Sequence, residues 1–117
     1  MKDKILIADA QEANREILEE IFEEKYKVIL AQTGQEALNV LLKEYSNLAI
    51  AILDMGLADK SAVDILNEIN TAQWFDNLPV MVLSDDTSLK IEKSVYKAGA
   101  VDFCRKPFDS GLIEKKN

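Results

Sequence analysis

The chain has 117 residues, 48% of them hydrophobic and 30% charged, a balance typical of one folded domain and unlike that of a disordered segment. Its formal net charge is −7, and this negative field disfavours direct binding to nucleic acid or to anionic membrane surfaces. The chain contains no His, which excludes a histidine general base, a histidine metal site and a phosphohistidine relay on this chain.

Short apolar runs alternate with helical patterns along the chain. Five runs predict strands, namely residues 5–8, 28–31, 48–53, 80–83 and 101–104. Several are apolar at nearly every position, as expected for parallel strands that are covered on both faces. Right-handed crossovers between such strands predict one α/β domain over residues 1–117, with a doubly wound five-stranded parallel sheet and helices on both faces.

Apolar residues recur at helical spacing between the predicted strands, and we assign them to the core. They are Ile17, Leu18, Ile21 and Phe22, then Ala37, Leu38, Leu41 and Leu42, then Val63, Leu66 and Ile69, and finally Ile91 and Val95. Gly34 is expected to open the second helix, and Gly99 is expected to end the fourth with a positive φ. Residues 109–117 contain only Leu112 and Ile113 as apolar helix positions, so the fifth helix is expected to be short.

Two further features concern location and redox chemistry. No apolar run approaches the roughly 20 residues needed to cross a bilayer, and residues 1–4 lead directly into the first strand instead of a signal-peptide core. We therefore expect a cytoplasmic protein that does not bind membranes. Cys104 has no second cysteine to pair with, and its apolar neighbours predict a buried side chain.

Polar residues directly follow four of the predicted strands. They are Asp9, Asp54, Ser84 and Lys106. Ligands bind beyond the carboxyl ends of the strands in open parallel sheets, so these residues are expected to converge on one crevice. Two carboxylates, a hydroxyl and an amine suit a phosphorylatable carboxylate. Asp54 would be the nucleophile, acids would hold a charge-neutralising metal, and Ser84 and Lys106 would bond the phosphoryl oxygens.

Each of these residues also has a structural interpretation. Asp54 could be an ordinary loop residue, and Asp9 could cap a helix that begins near Asn14. Ser84 could cap the helix after its strand, and Lys106 could be a surface lysine. Because an unpaired ammonium is costly to bury, we expect Lys106 to form an ion pair with Asp54 or Asp9 under either interpretation.

Six short motifs follow one another along nearly the whole chain. They are Ile5-Leu6-Ile7-Ala8-Asp9, Asn14-Arg15, Ile52-Leu53-Asp54, Val82-Leu83-Ser84, Gly99-Ala100-Val101-Asp102-Phe103 and Lys106-Pro107-Phe108. In this order and spacing they resemble the motifs of response regulator receiver domains. The resemblance implies a flavodoxin-like fold and a signalling module that is not an enzyme. It would accept a phosphoryl group from a histidine kinase or phosphotransfer protein and switch contacts with a downstream effector.

The resemblance also implies roles for individual residues. Asp54 would be the phosphoacceptor, Ser84 the switch hydroxyl, Phe103 the switch aromatic residue and Lys106 the phosphoryl-binding lysine. A cis peptide bond between Lys106 and Pro107 would aim the amine into the crevice.

The family's metal site and partner surface carry over in the same way. Asp9, Asp54 and the backbone carbonyl of Gly56 would hold a divalent cation such as Mg²⁺. The face of the fourth helix, fifth strand and fifth helix would be the partner surface, and its exposed apolar area favours a homodimer.

Several positions depart from the family pattern. Receiver domains usually have two adjacent acids after the first strand, and the second acid binds the metal. Here the pair is Asp9-Ala10, so Mg²⁺ binding is expected to be weak or absent. Asp85 stands where a small residue is preferred, and it could repel a phosphoryl group or partly replace the missing acid. Ala58 and Ala62 stand where Pro and Gly are common, which affects the geometry of the loop.

These departures support an alternative function. Ala10 and Asp85 would suit a pseudo-receiver, an interaction module whose state is set by a partner instead of a phosphoryl group. A phosphatase of the haloacid-dehalogenase type would need an acid two residues after its nucleophile, and here that residue is Gly56. A flavodoxin would need a phosphate-binding loop of Ser, Thr and Gly after the first strand, which residues 10–13 cannot supply.

Overall fold

Strands and helices alternate throughout the residues that the computed structural model describes, which are 2–72 and 78–106. The strands in these ranges are β1 (Lys4–Ala8), β2 (Lys27–Ala31), β3 (Leu48–Asp54), β4 (Val80–Ser84) and β5 (Asp102–Arg105). The helices are α1 (Glu12–Phe22), α2 (Gly34–Glu44), α3 (Ala62–Ala72) and α4 (Leu89–Lys97), with a 3-10 turn (Tyr45–Asn47) after α2. Each predicted strand is confirmed to within one residue at either end.

The five strands form one parallel sheet in the order β2-β1-β3-β4-β5. Ala8 of β1 pairs with Leu53 of β3, so Asp9 and Asp54 follow adjacent positions of neighbouring strands. Asp54 in turn pairs with Leu83 of β4. The register therefore places the carboxyl ends of these strands at one edge, and the predicted doubly wound fold is confirmed.

Side chains of the sheet alternate between two cores, one on each face. On one face Leu6 and Leu53 pack with residues of α2, α3 and α4. On the other face Ile52 packs with Leu18 and Phe22 of α1. Helices thus cover both faces of the sheet, which is why its strands are apolar at nearly every position.

Two residues assigned to the core lie outside it. Ile17 is 44% exposed and Leu42 is 52% exposed, whereas their neighbours Leu18 and Leu41 are completely buried. Successive residues of a helix are about 100° apart, so a helix that packs on a sheet buries one stripe and leaves the adjacent position at the stripe's edge. The predicted core was wrong at these two positions for that reason.

The predicted glycine roles at helix ends are confirmed. Gly34 is the first residue of α2, after the N-cap Thr33, whose Oγ1 accepts a hydrogen bond from the Glu36 N–H. Gly99 follows α4 with a φ of 110° and donates its N–H to the carbonyl of Tyr96. A side chain is strained at such a φ, so glycine is needed there.

α1 begins at Glu12, two residues before the start that was expected near Asn14. The short fifth helix and the cis Lys106–Pro107 bond lie outside the described residues. Within the described ranges, no helix has the length and apolar character to cross a membrane.

Candidate functional site

Three charged side chains meet beyond the carboxyl ends of β1, β3 and β5. The Nζ atom of Lys106 lies 3.2 Å from Oδ2 of Asp9 and 3.1 Å from Oδ1 of Asp54. All three residues are buried, with Asp9 0%, Asp54 3% and Lys106 9% exposed. We call Asp9, Asp54 and Lys106 the carboxylate–lysine cluster. The ion pair expected for Lys106 is present, and it involves both carboxylates.

Asp9 combines a structural contact with an open carboxylate oxygen. Its Oδ1 accepts hydrogen bonds from the Gln11 N–H at 2.9 Å and from Asn14 Nδ2 at 3.5 Å, which orients the start of α1. Its Oδ2 lies 3.2 Å from Nζ of Lys106, and this contact is an ion pair. No hydrogen bond from the described residues reaches Oδ2. The two interpretations of Asp9 therefore apply to different oxygens.

Asp54 ends β3 with its carboxylate held from two sides. Its Oδ1 accepts a hydrogen bond of 3.0 Å from the Gly56 N–H and also faces the Lys106 ammonium. A Cβ atom placed on Gly56 would lie 3.4 Å from Oδ2 of Asp54. A side chain at this position would therefore come into ordinary van der Waals contact with this oxygen.

Burial and charge together set the protonation of the cluster. Burial, reinforced by the nearby Asp9 carboxylate, raises the pKa of Asp54, although the Gly56 N–H and Lys106 oppose the shift. Burial alone would lower the pKa of Lys106, but its contacts with Asp54 and Asp9 outweigh burial and raise it. The ammonium therefore stays charged at neutral pH and balances one of the two carboxylates.

Ser84, the last residue of β4, has its hydroxyl engaged by its own loop. Ser84 Oγ donates to the Asp86 carbonyl at 2.8 Å and accepts from the Asp86 N–H at 3.1 Å. The Asp86 carboxylate accepts from the Ser88 N–H at 2.9 Å, and Ser88 is the N-cap of α4. We call Ser84, Asp86 and Ser88 the serine turn. Ser84 is thus not the cap of the following helix.

The sequence reasoning missed the part that Asp86 plays in this turn. A serine followed two residues later by Asp and four residues later by a second Ser is a pattern in which side chains bond nearby backbone groups. That pattern could have identified the serine turn.

A cleft separates the β3–α3 loop from the β4–α4 loop. Its volume is about 270 Å³, and its lining residues are Met55, Gly56, Ser84, Asp85, Asp86 and Ile91. Asp85 is exposed and lines this cleft beside Ser84. Phe103 is partly buried and packs against the core under α2, α3 and α4.

The oxygen donors of the cluster fit a hard cation. Oδ2 of Asp9 is a buried oxygen without an aligned hydrogen bond among the described residues, and Asp54 supplies a second carboxylate. Mg²⁺ prefers such oxygens. Residues 2–72 and 78–106 contain no group of three acidic, Cys or His side chains arranged to hold a metal. The cluster thus offers Mg²⁺ two carboxylates, and the Lys106 ammonium beside both would compete with the ion.

Comparisons with known proteins agree with this architecture. The family model of the response regulator receiver domain matches residues 5–116. Response regulator RR06 of Streptococcus pneumoniae is 36% identical over 115 residues, which are 96% of this chain and 50% of that protein. Sporulation initiation phosphotransferase F of Bacillus subtilis is 31% identical over 110 residues, 93% of this chain and 86% of that protein.

A solved structure shows the same fold. The CheY-like receiver domain protein of Methanospirillum hungatei superimposes with a TM-score of 0.88 at 24% identity, covering 99% of this chain and 90% of that one. The chain belongs to the response regulator receiver domain family, whose members serve phosphorylation-dependent signalling. It spans half the length of the pneumococcal relative.

Proposed function

We propose that Asp54 accepts a phosphoryl group from a histidine kinase or phosphotransfer protein and that this modification switches protein–protein contacts. The observation that carries the proposal is the buried Asp54 carboxylate at the end of β3, paired with Lys106 at 3.1 Å beside the loop that carries Gly56. A relative that is named a phosphotransferase, 31% identical to this chain, supports the same chemistry.

We propose different tasks for the two oxygens of Asp54. Oδ1 is held by the Gly56 N–H and by Lys106, which leaves Oδ2 to attack the phosphorus of the donor. The new O–P bond forms as the P–N bond to the donor histidine breaks, and the histidine nitrogen keeps the electron pair and takes up a proton. The Lys106 ammonium would then offset part of the charge on the acyl phosphate.

The serine turn would connect the modification to α4. For Ser84 to bond a phosphoryl oxygen, its hydroxyl must leave the carbonyl of Asp86, to which it donates at 2.8 Å. That change would loosen the loop that leads to Ser88, the N-cap of α4. A phosphoryl group carries about −1.5 to −2 charges and can drive such a local rearrangement. Phe103 is proposed to act as the switch aromatic residue.

A divalent cation would assist this transfer. Asp9, Asp54 and the Gly56 carbonyl would hold it. When bound, Mg²⁺ would neutralise phosphoryl charge. Ala10 provides no carboxylate, so Asp9 and Asp54 must bind the ion against competition from Lys106, and we expect low affinity.

We further propose that the protein is a cytoplasmic signalling module and not an enzyme, with an effector domain or protein as its downstream partner. Large apolar side chains are exposed on and after α4, where Leu89 is 65%, Tyr96 43% and Val101 61% exposed. This area supports a homodimer or an effector contact on that side. The whole of residues 1–117 would form the one receiver domain.

A second candidate is a pseudo-receiver that switches through a partner without phosphorylation. It is favoured by the Ser84 hydroxyl, which is already bonded to Asp86, and by Ala10 and Asp85 in place of the usual residues.

Phosphorylation of wild type, Asp54→Asn and Asp85→Asn by acetyl phosphate with excess Mg²⁺ separates the two candidates. We expect intact-mass spectra to show one phosphoryl group on wild type and none on Asp54→Asn. Asp85→Asn is the matched control, because it removes a carboxylate from the same cleft and should be modified at least as fast as wild type. Modification of Asp54→Asn would show a different acceptor. If neither acetyl phosphate nor a phosphorylated histidine donor modifies wild type, the result would support the pseudo-receiver.

A further inference from the structure

The loop after β3 is bonded to the start of α2 by one carboxylate. Oδ1 of Asp59 accepts a hydrogen bond of 2.8 Å from the Gly34 N–H, and Oδ2 accepts one of 3.0 Å from the Gln35 N–H. These donors belong to the first turn of a helix, where backbone N–H groups lack partners within the helix and a negative charge is stabilised. They hold the pKa of Asp59 below its usual value, so the carboxylate is charged at neutral pH.

Asp59 does not take the place of the N-cap of α2, because Thr33 caps the helix at a different backbone group. Thr33 Oγ1 accepts from the Glu36 N–H at 3.1 Å, and the Glu36 carboxylate accepts from the Gln32 N–H at 3.0 Å. The second contact resembles the capping box, but it returns to the residue before the N-cap Thr33. The hydrogen bond from Gly34 to Asp59, in contrast, joins residues 25 positions apart. Asp59 therefore ties two separate elements together.

The close approach of the two elements also explains Gly34. A Cβ atom placed on Gly34 would lie 2.6 Å from Cβ of Lys60 and 2.8 Å from the Lys60 carbonyl oxygen. Real Cβ atoms do not come so close to other heavy atoms, so a larger residue would push the loop away from α2. The absence of a side chain at Gly34 thus allows the contact that Asp59 makes.

The tied loop is the one that carries Gly56. Three contacts follow one another along this loop. The Gly56 N–H donates to the Asp54 carboxylate, the Leu57 side chain is buried in the core with 5% exposure, and the Asp59 carboxylate binds the start of α2. Ala58 between these anchors cannot restrict the backbone as a proline ring would. Side-chain contacts help to hold this loop in shape. Lys60 pairs with Glu68 of α3, and Asp59 supplies the contact that reaches α2.

We propose that Asp59 is a positioning residue that, by tying the β3–α3 loop to α2, holds Gly56 in place against the phosphoacceptor Asp54. The inference rests on the proposed function of Asp54. It predicts that cutting the tie changes the surroundings of Asp54 although Asp59 itself does not belong to the carboxylate–lysine cluster.

The test compares Asp59→Ala with Thr33→Ala. Both variants remove one hydrogen-bonding side chain from the start of α2, and only the first cuts the tie to the loop. Exchange of the Gly56 amide hydrogen, followed by NMR, reports on the loop without phosphorylation. The initial rate of Asp54 phosphorylation by acetyl phosphate reports on the site. In Asp59→Ala we expect exchange about tenfold faster and phosphorylation about three- to tenfold slower, with Thr33→Ala within about twofold of wild type in both.

A third variant approaches the contact from the other side. Gly34→Ala should reproduce both effects of Asp59→Ala, because its methyl group would displace Lys60, although alanine favours a helix more than glycine does. Unchanged Gly56 exchange in Asp59→Ala would overturn the proposal, as would equal effects of Asp59→Ala and Thr33→Ala. If wild type accepts no phosphoryl group, the proposed function of Asp54 fails, and Gly56 exchange still decides whether Asp59 holds the loop.

Discussion

The carboxylate–lysine cluster and the serine turn lie at the same edge of the sheet, and they differ in that only the cluster adds contacts between strands to its local hydrogen bonds. In the cluster, Lys106 joins Asp9 and Asp54, which come from different strands. In the serine turn, Ser84 bonds Asp86, which is only two residues away. The first is a long-range arrangement that needs the whole sheet, and the second is a local one.

The difference shows what a position after a strand determines. Such a position brings a residue to the edge of the sheet, but the hydrogen bonds available nearby decide where its polar atoms go. The buried carboxylates also accept local hydrogen bonds, from the Gln11 and Gly56 N–H groups, but the cation that offsets their charge comes from another strand. A hydroxyl can be satisfied by the next backbone groups. We therefore expect the cluster to contribute more to stability than the serine turn and to respond to charge changes independently of it.

The largest effect is expected when the cluster loses its cation. Lys106→Met leaves two carboxylates buried together, so the free energy of unfolding near neutral pH should fall by about 3–5 kcal/mol. Urea unfolding in EDTA would measure the loss. The double variant Lys106→Met/Asp54→Asn should recover much of it, because one of the two repelling charges is gone. A loss below about 1 kcal/mol would mean that the cluster behaves like an exposed ion pair.

The pH dependence of the same variant tests the electrostatic cause. Burial raises the pKa of Asp54 in the folded protein above 3.8, its ordinary value, so the folded state takes up a proton at a higher pH than the unfolded chain. The stability from this group is thus present below 3.8 and lost as the pH rises through the folded pKa. Removal of Lys106 raises this pKa further. The loss in Lys106→Met should therefore shrink as the pH falls, and a loss independent of pH would point to packing instead.

The next effect concerns the acid that the cluster lacks. Ala10 is exposed beside Asp9, and Ala10→Asp should tighten Mg²⁺ binding by about 1–3 kcal/mol, or roughly 5- to 150-fold in Kd. Calorimetric or NMR titration would measure it, with Ala10→Asn as a control of similar shape and no charge. Unchanged binding in Ala10→Asp would instead assign the weak affinity to Asp85 or to loop geometry.

The smallest effect is expected in the serine turn. Ser84→Ala removes both hydrogen bonds to the Asp86 backbone from a residue that is 3% exposed, so stability should fall by about 0.5–1.5 kcal/mol. In Ser84→Ala, hydrogen exchange of the Ser88 amide should become faster. The stability that Lys106→Met removes should be the same in the presence and in the absence of Ser84→Ala. Ser84→Thr keeps the hydroxyl and serves as the control. A coupling above about 0.5 kcal/mol between the two sites would show that they are not independent.

The sequence by itself determined the sheet and the residues at its edge. Strands covered on both faces are apolar at nearly every position, so all five could be located to within one residue. Right-handed crossovers then bring the ends of β1, β3 and β5 together, and with them Asp9, Asp54 and Lys106. Both steps depend on local patterns and a general rule of chain topology.

Only the tertiary structure decided which atoms meet. The exposure of Ile17 and Leu42 depends on how far each helix is rotated against the sheet, which helical spacing alone does not set. The contact of Asp59 with Gly34 depends on the paths of two loops 25 residues apart, and no periodic pattern describes those paths. Hydrogen bonds require atoms to be placed within a few tenths of an ångström, and that precision comes from packing of the whole molecule.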